Sequence, residues 1–235
     1  MKTFVLCGGE GTRLKPYTYF TPKPMLMVGG KPILWYVIEN LKRNGLKDLV
    51  LTVGYKHEQI EQYFGDGKDF GVKIEYAVEK DALNTAGSVL PHRNKVDGTF
   101  AVVMGDHLAN IDLKGMVEHH RKEKAVATIA LLKHKLPIEY GVADIDAHSV
   151  KAFIEKPLLQ HNYNVAIYVF EPKVFDYMKE REDFAKDVFP RMLERGERIA
   201  PYVFEDVWFD IGRISDYERL NELFQIVRLA RDLRL

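Results

Sequence analysis

The stretch GGEGTRLKPYTYFTPKPM, from Gly8 to Met25, follows directly on a short apolar run that ends at Cys7. Three glycines at its start let backbone N–H groups approach an anion closely and adopt positive φ angles without a Cβ clash. Arg13 and Lys23 add two cations to the same segment. This combination predicts a polyphosphate-binding loop placed after the first strand of the fold.

Two common phosphate-binding motifs do not account for this segment. A Walker loop ends in Gly-Lys-Ser/Thr, but Gly30-Lys31 is followed by Pro32, so the hydroxyl ligand for magnesium is missing. A dinucleotide fingerprint needs a third glycine three residues beyond Gly11, where Leu14 stands. The segment reads instead Gly-Gly-x-Gly-x-Arg-Leu-x-Pro, followed by Thr-Pro-Lys-Pro-Met.

This pattern resembles the N-terminal signature of the sugar nucleotidylyltransferases, and the resemblance runs from residue 1 to about residue 223. It implies a Rossmann-like fold and transfer of a nucleotidyl group from an NTP to a sugar-1-phosphate, with release of pyrophosphate. Arg13 would stabilise the departing pyrophosphate through its planar fork, and Lys23 would contact the phosphates being joined. Three glycines would bring backbone to the nucleotide: Gly8, Gly9 and Gly11.

Composition excludes several other classes of function. The 235 residues include 34 basic and 34 acidic side chains, so the chain lacks the excess of basic charge that nucleic-acid binding requires. No run of about 18 apolar residues is present, so we expect no contact with a membrane. The single cysteine, Cys7, excludes an internal disulfide and favours a buried core position in a cytoplasmic protein.

The apolar pattern predicts an α/β fold. Runs rich in β-branched residues predict strands over residues 4–7, 49–53, 73–78, 100–104 and 127–132. Amphipathic segments between them predict helices over residues 32–44, 58–64 and 111–122. Such alternation with short connections predicts a doubly wound, mostly parallel mixed sheet, with ligands bound beyond the carboxyl ends of its strands.

We expect a single domain over residues 1–235, because no linker or repeat divides the chain. Residues 1–110 would form a nucleotide-binding half. Residues 111–235 would form a sugar-binding half with a small mixed-sheet extension, strands over 141–145, 150–155, 165–170 and 201–204, and helices near 172–179 and 185–195. Ser215 is expected to cap a final helix. Its apolar stripe would pack on the domain, with a homo-oligomer contact as the alternative: Leu220, Leu223, Phe224, Val227 and Ala230.

Two aspartates are candidate metal ligands. Asp106 follows a predicted buried strand, and Asp210 is flanked by apolar residues and a glycine, where an unpaired carboxylate is costly. The family's metal ligands fall in a Gly-Asp and an Asp-x-Gly motif of this kind. The resemblance therefore implies Mg²⁺, which binds few carboxylates and keeps water and phosphate as its other ligands. Asp144 and Asp146 are expected to face solvent.

Three later segments resemble the family's sugar pocket: Glu-Tyr-Gly-Val at 139–142, Phe-Ile-Glu-Lys-Pro at 153–157 and Asn-Val-Ala-Ile-Tyr at 164–168. The resemblance implies that a glycine amide and a carboxylate meet sugar hydroxyls and that a lysine approaches the phosphate. Ala166 departs from the family pattern, because glycine is usual there, and its methyl group would narrow the pocket. The implied sugar-binding residues are Tyr140, Gly141, Glu155, Lys156 and Asn164.

The base is expected to be read by the segment after the third strand, at Glu79, Asn84 and Gly87. Relatives that use dTTP commonly have glutamine where Glu79 stands. A carboxylate only accepts hydrogen bonds, so Glu79 complements the N1–H and N2–H groups of guanine and favours GTP. Asn84 stands where glycine is usual, and asparagine tolerates the left-handed conformation better than most residues.

Several substrates and one non-enzymatic role remain open. Mannose-1-phosphate with GTP is the favoured pair, glucose-1-phosphate with dTTP is the closest competitor, and a uridylyltransferase follows. A regulatory homologue that only binds a sugar nucleotide would not need Arg13 for a leaving group or Asp210 as a second metal carboxylate. A glycosyltransferase would hold its metal with Asp-x-Asp, and that string occurs only at 144–146, within a predicted strand.

Overall fold

The computed structural model describes residues 1–232, with side chains up to residue 227. Thirteen strands are present in this part of the chain: β1 (Lys2–Cys7), β2 (Met27–Val28), β3 (Lys31–Pro32), β4 (Asp48–Val53), β5 (Lys73–Val78), β6 (Phe100–Met104), β7 (His107–Ala109), β8 (Ala127–Pro137), β9 (Val142–Ile145), β10 (Val150–Ile154), β11 (Leu158–Phe170), β12 (Ile199–Phe204) and β13 (Trp208–Asp210). The α-helices are α1 (Ile33–Arg43), α2 (His57–Phe64), α3 (Asn84–Gly87), α4 (Leu113–Glu123), α5 (Phe189–Glu194) and α6 (Ile214–Asp232).

One seven-stranded sheet carries the fold, in the order β12-β8-β11-β6-β1-β4-β5. Strand β1 pairs in parallel with β4 and β6, β4 pairs in parallel with β5, and β8 pairs in parallel with β12. Only β11 runs antiparallel, to β6 on one side and to β8 on the other. The predicted doubly wound, mostly parallel mixed sheet is confirmed, and strands from both halves of the chain belong to it.

Alternation along β1 shows how the sheet separates two cores. Phe4 and Leu6 pack into one core and Val5 and Cys7 into the other, and all four side chains are buried. This is the period-two pattern of a strand covered on both faces. Burial raises the pKa of the Cys7 thiol well above its ordinary value, so Cys7 is the inert core residue that the sequence predicts.

The helix boundaries follow the local signals in the sequence. Helix α1 begins after Pro32 and ends at Arg43; Asn44 caps it, and Gly45 follows with φ 80° in the left-handed region. Helix α4 begins after Asp112, whose carboxylate accepts a hydrogen bond from the Gly115 N–H at 2.8 Å. Both helices lie within two residues of their predicted bounds.

Two predicted helices of the second half are less regular than expected. Residues Pro172–Tyr177 form a 3₁₀ helix instead of an α-helix. The segment predicted as a helix over 185–195 is one turn of π-helix, Phe184–Val188, followed by the short helix α5. Pro190 lies in that junction and has no N–H to donate to the carbonyl four residues earlier, which accounts for the widened turn.

Helix α6 departs from prediction in two respects. Ser215 does not cap it, because the helix begins at Ile214 and the Tyr217 N–H already bonds to the carbonyl of residue 213. Of the predicted stripe, Leu220 is buried and Phe224 packs against the domain, whereas Leu223 and Val227 are exposed. Only the first part of the stripe therefore reaches the core. The side chain of Ala230 lies outside the described residues.

The predicted sheet extension is a long arm, residues 134–163. Strands β8 and β11 continue past the sheet as an antiparallel pair, and β9 and β10 form a hairpin at its end. Nearly every side chain of the arm is exposed, including Asp144 and Asp146 as expected. Among residues 1–232, no helix combines the length and the apolar character needed to cross a bilayer.

Candidate active site

A cavity of about 350 Å³ opens where β1, β5 and β6 reach their carboxyl ends. This is the location expected for a ligand in a doubly wound sheet. Its wall contains eight residues that the sequence predicts for the site: Gly8, Gly9, Gly11, Arg13, Lys23, Glu79, Asn84 and Asp106.

The glycine-rich loop is folded tightly against its own lysine. Gly11 has φ 64°, and a Cβ built there would lie 2.9 Å from Thr18 Cγ2 and 3.2 Å from Lys23 Cβ. The Thr18 hydroxyl donates to the Gly11 carbonyl at 2.9 Å. A side chain at position 11 would therefore both strain the backbone and displace the segment that carries Lys23.

Lys23 is a buried cation between two carboxylates. Its side chain is 9% exposed, and Pro22 and Pro24 on either side are also buried. The ammonium Nζ lies 2.5 Å from Asp106 Oδ2 and 3.7 Å from Asp210 Oδ1. The structure thus joins the loop to both predicted metal carboxylates, which stand more than 80 residues away in the chain.

His107 completes this cluster and was not predicted from the sequence. Antiparallel pairing of β7 with β13 sets His107 opposite Asp210, with Nε2 3.4 Å from Asp210 Oδ1 and 3.7 Å from Asp106 Oδ1. Burial lowers the pKa of His107, but the hydrogen bond and charges of the two aspartates outweigh it and raise the pKa above its ordinary value. The hydrogen bond from His107 in turn lowers the pKa of Asp210 to about 2.

The carboxylates of Asp106 and Asp210 suit a divalent cation that takes its remaining ligands from phosphate and water. Asp106 Oδ1 is buried and has no hydrogen-bond partner in the described part of the chain. Carboxylate oxygens are the ligands that Mg²⁺ prefers, and it commonly takes one or two of them beside phosphate and water. Residues 1–232 contain no group of three or more acidic, histidine or cysteine side chains that could hold a metal alone. Asp106 and Asp210 therefore fit a metal that is completed by a phosphate ligand.

Arg13 stands at the exposed edge of the same cluster. Its Nη1 lies 3.5 Å from the position that a Cβ at Gly212 would occupy, and its charge helps to lower the pKa of Asp210. A Cβ at Gly212 would also lie 3.2 Å from Asp210 Oδ2. The absence of a side chain at Gly212 leaves room for the guanidinium beside the carboxylate.

Glu79 forms the opposite side of the cavity. A Cβ built on Gly8 would lie 3.0 Å from Glu79 Oε2, so the glycine leaves space for the carboxylate. Glu79 Oε1 is buried without a hydrogen-bond partner in residues 1–232, and burial raises the pKa of this side chain. Glu79 lines the cavity, and its carboxylate offers a ligand only hydrogen-bond acceptors when it is ionised.

The residues expected to follow Glu79 adopt two different positions. Asn84 lies on the cavity wall with φ 61°, the left-handed conformation expected of a residue that replaces glycine. Gly87 is buried and lies behind the wall, where a Cβ would meet the backbone nitrogen of Arg181 at 2.7 Å. The absence of a side chain at Gly87 permits this close packing.

Most of the predicted sugar-binding residues lie on the arm and not on the cavity wall. Gly141 and Glu155 are neighbours, since a Cβ at Gly141 would lie 2.7 Å from Glu155 Oε2. Tyr140 is exposed, and Lys156 is exposed with φ 46°. Asn164 stands at the base of the arm. The structure therefore pairs Gly141 with Glu155 and leaves the sugar-binding role of all five residues a prediction.

A β-bulge at the base of the arm accounts for the left-handed backbone conformation of Ala166. The pairing of β11 with β8 shifts between Asn164 and Tyr168. Asn164 donates to the Tyr168 hydroxyl at 3.0 Å and accepts from the Ala166 N–H at 2.9 Å. Ala166 has φ 55°, so it holds a conformation that glycine adopts more easily.

Comparison with known proteins identifies the family. A family model described as nucleotidyl transferase matches residues 2–225. The chain belongs to the nucleotidyl transferase family. It is 34% identical over 238 residues to a UTP–glucose-1-phosphate uridylyltransferase of Synechocystis and 35% identical over 224 residues to a mannose-1-phosphate guanylyltransferase of Mycobacterium tuberculosis. These alignments cover 92% of this chain but only 61% and 62% of the relatives.

Solved structures support the same assignment. A protein of Bacillus anthracis described as a glucose-1-phosphate thymidylyltransferase, solved with sucrose, superposes with a TM-score of 0.76 at 28% identity and covers 95% of both chains. HddC of Yersinia pseudotuberculosis superposes with a TM-score of 0.76 at 26% identity, covering 95% of this chain and 99% of that one. The predicted family and fold class are confirmed.

Several cavity residues of this nucleotidyl transferase were missed in the sequence. These wall residues were not singled out by the sequence, although Thr12 lies within the glycine-rich stretch and Met104 ends a predicted strand: Thr12, Thr85, Ser88, Met104 and Asp183. His107 directly follows Asp106 in the sequence, but its contact with Asp210 depends on the pairing of β13 with β7. Nothing local marks Asp183, which comes nearly 100 residues after Asn84 and Thr85.

Proposed function

We propose that this nucleotidyl transferase joins an NTP to a sugar-1-phosphate, giving an NDP-sugar and pyrophosphate, with GTP and mannose-1-phosphate as the favoured pair. The observation that carries the proposal is one cavity wall shared by the glycine-rich loop, Lys23, Asp106 and Glu79. The names of relatives support the reaction class, and they differ in nucleotide and sugar.

The reaction requires alignment and charge neutralisation more than proton transfer. An oxygen of the sugar phosphate attacks the α-phosphorus, and the bond from that phosphorus to the bridging oxygen of pyrophosphate breaks. The attacking oxygen is already deprotonated at neutral pH, so no protein base is needed. Lys23 lies at the centre of the anionic cluster and would neutralise the phosphates being joined. Arg13 at the edge would hold the departing pyrophosphate with two hydrogen bonds.

Asp106 and Asp210 are the residues that would hold Mg²⁺. When bound, the metal supplies a positive charge that neutralises the phosphate oxygens during transfer. His107 contributes by fixing the Asp210 carboxylate, which it contacts at 3.4 Å. We propose Mg²⁺ over a softer metal because both ligands are carboxylates, and because Cys7, the thiol on the cavity wall, is buried with a pKa well above its ordinary value.

Glu79 supports guanine as the base. Its half-buried carboxylate lies against Gly8 on the cavity wall, and as an acceptor it complements the N1–H and N2–H groups of guanine. Thymine and uracil offer a single N–H on the corresponding edge. The methyl group of Ala166 stands where the family usually has glycine, and it would restrict the sugar that fits.

The decisive experiment is a matrix of four NTPs against several sugar-1-phosphates, with pyrophosphate release as the readout. GTP with mannose-1-phosphate should give the highest kcat/KM. Highest turnover with dTTP and glucose-1-phosphate would replace the favoured pair by the closest competitor, and turnover with no pair would favour a sugar-nucleotide-binding role. Asp106→Asn should abolish turnover in a protein that still unfolds cooperatively, although less stable because Lys23 loses its nearest carboxylate, and full activity in this variant would remove Asp106 from the metal site.

Glu79→Gln tests the base separately. An amide offers both a donor and an acceptor, so we expect the ratio of kcat/KM for GTP to that for UTP to fall by about tenfold or more. Glu75→Gln is the matched control, because Glu75 forms an ion pair with Lys95 at 3.0 Å on the surface and does not line the cavity. An unchanged ratio in Glu79→Gln would refute the role of this carboxylate in base recognition.

We further propose that the protein works in the cytoplasm, where both substrates are made, and the buried free thiol of Cys7 is compatible with a reducing compartment. A homo-oligomer is proposed as an alternative to the monomer. Size-exclusion chromatography with light scattering would decide between these states.

A further inference from the structure

The base-reading segment, residues 79–88, is bound to a second segment nearly 100 residues away, residues 179–188. Asn84 Nδ2 donates to the Arg181 carbonyl at 2.7 Å. The N–H groups of Ala86 and Gly87 both donate to the Glu182 carbonyl, at 2.9 and 3.0 Å. These bonds occupy two of the backbone donors in the first turn of helix α3 and tie it to the second segment.

At the centre of this junction, Thr85 and Asp183 are joined through their side chains. The Thr85 hydroxyl donates to Asp183 Oδ2 at 2.9 Å and accepts from the Phe184 N–H at 2.9 Å. The second oxygen, Asp183 Oδ1, accepts from the N–H groups of Ala185 and Lys186 at 2.9 and 3.2 Å. Both carboxylate oxygens are therefore committed within the protein, although Asp183 and Thr85 lie on the cavity wall beside Glu79.

The second segment is itself anchored in the core. Phe184 is fully buried and stacks on Phe170 with ring centroids 5.0 Å apart. Glu182 forms an ion pair with Arg191 and accepts from the Lys179 N–H at 2.9 Å. A rigid aromatic core of the second half of the chain thus determines where the first half presents its base-reading residues.

Two strained backbone positions show how closely the segments fit. Asn84 and Arg181 have φ 61° and 59°, and they are joined by the hydrogen bond already described. Non-glycine residues hold this conformation at a cost of the order of 1 kcal/mol each, so the surrounding bonds must outweigh it. The conformation of residues 79–88 is therefore imposed by tertiary contacts and not by local preference.

We propose that Asp183 is a positioning residue for nucleobase recognition: through Thr85 it fixes the base-reading segment in the conformation that presents Glu79 and Asn84 to the base. This inference rests on the proposed function. Both carboxylate oxygens of Asp183 are already bonded within the protein, so its effect passes through the Thr85 hydroxyl. Loss of the bond between Thr85 and Asp183 would weaken nucleotide binding and reduce discrimination between bases. The rate of nucleotidyl transfer from a bound nucleotide would stay unchanged.

Steady-state kinetics of Thr85→Val tests the proposal. Valine keeps the shape of threonine but neither donates nor accepts, so we expect KM for GTP to rise about tenfold, equivalent to ~1.4 kcal/mol. The values of kcat and of KM for the sugar-1-phosphate should stay within twofold, and the ratio of kcat/KM for GTP to that for UTP should fall. Thr85→Ser keeps the hydroxyl and should restore both KM and the ratio.

Two further variants separate positioning from general damage. Thr99→Val removes a similar threonine–carboxylate bond, to Glu171 at 2.6 Å, and should leave every constant within twofold because Thr99 does not line the cavity. Asp183→Ala should raise KM for GTP at least as much as Thr85→Val. The double variant should add no more than about twofold beyond Asp183→Ala, since the same bond is already broken.

The results that overturn the proposal differ from those that overturn the reaction. A GTP KM within twofold of wild type in Thr85→Val refutes the positioning role, and so does an equal rise in the KM values of both substrates. Absence of turnover by the wild-type protein with any substrate pair refutes the reaction alone. In that case, calorimetric titration of GTP with Mg²⁺ into wild type and Thr85→Val still tests the positioning of the segment, with the same tenfold loss of affinity expected.

Discussion

Replacement of Lys23 by methionine should destabilise this protein more than the loss of any surface ion pair. The ammonium lies 2.5 Å from Asp106 Oδ2, and the two side chains are only 9% and 17% exposed. Removing one member of a buried pair leaves an uncompensated charge and typically costs 3–5 kcal/mol. Because His107 stands near the remaining carboxylate, we expect a loss near the lower limit, about 3 kcal/mol in the free energy of unfolding.

Urea unfolding followed by tryptophan fluorescence measures this change. Trp208 is a suitable probe because its ring packs edge-to-face on His107 with centroids 5.5 Å apart. Lys68→Met is the matched control, since Lys68 is 85% exposed and pairs with Asp66 at 2.6 Å. Its unfolding curve should overlay that of the wild type, because exposed pairs are screened by solvent.

A second substitution distinguishes lost charge compensation from lost packing. In the double variant Lys23→Met with Asp106→Asn, neither charge remains, so about 2 kcal/mol of the loss should be recovered. A loss below 1 kcal/mol in Lys23→Met would refute the reasoning. A double variant no more stable than the single one would show that methionine fails for steric reasons and that the charge cluster is not the cause.

Three further predictions concern positions already described. Asp210→Asn should lower the free energy of unfolding by about 1 kcal/mol at neutral pH; this loss is small because the side chain is 39% exposed and solvent screens its charge. The folded-state pKa of Asp210, about 2, lies below its ordinary 3.8, so this difference should disappear in stability curves between pH 4 and pH 2, and a constant difference would contradict it. Asn84→Ala should lower the free energy of unfolding by about 1–2 kcal/mol, because the left-handed conformation is unfavourable for alanine, and Asn84→Gly should lower it less. Equal losses of stability in thermal unfolding would exclude backbone strain as the cause. Gly105→Ala should lower the free energy of unfolding by about 1–3 kcal/mol, because the added Cβ would lie 2.3 Å from Cys7 Sγ. Cys7→Ala in the same chain should recover part of this loss. If nothing is recovered, the clash is with the Leu6 carbonyl, 3.1 Å from the added Cβ.

The sheet and the meeting of the glycine-rich loop with Asp106 could be predicted because their signals are local. Strand β5 over Lys73–Val78 and strand β6 over Phe100–Met104 have the bounds that the apolar runs indicate. The glycine-rich loop and Asp106 both follow buried strands that run parallel, so the topology brings them to one edge of the sheet. Asp210 joins them through the pairing of β13 with β7.

The rest of the site could not be predicted because it depends on contacts between distant segments. The role of His107 arises only when β13 sets Asp210 opposite it. The junction of Thr85 with Asp183 has no motif, and each residue alone resembles an ordinary surface polar group. The arm carries apolar residues in strand-like runs, but the sequence does not reveal that these strands leave the sheet.

The place of β11 in the sheet has a consequence for synthesis on the ribosome. Strand β6 lies between β1 and β11, so its second edge stays open until residue 170 has emerged, 66 residues after β6 ends at Met104. At translation rates of about 5–20 residues per second, that edge remains unpaired for roughly 3 to 13 seconds. An apolar open edge recruits other strands. A nascent chain stalled within the arm should therefore be a substrate for chaperones, and a fragment ending at residue 110 should aggregate instead of folding.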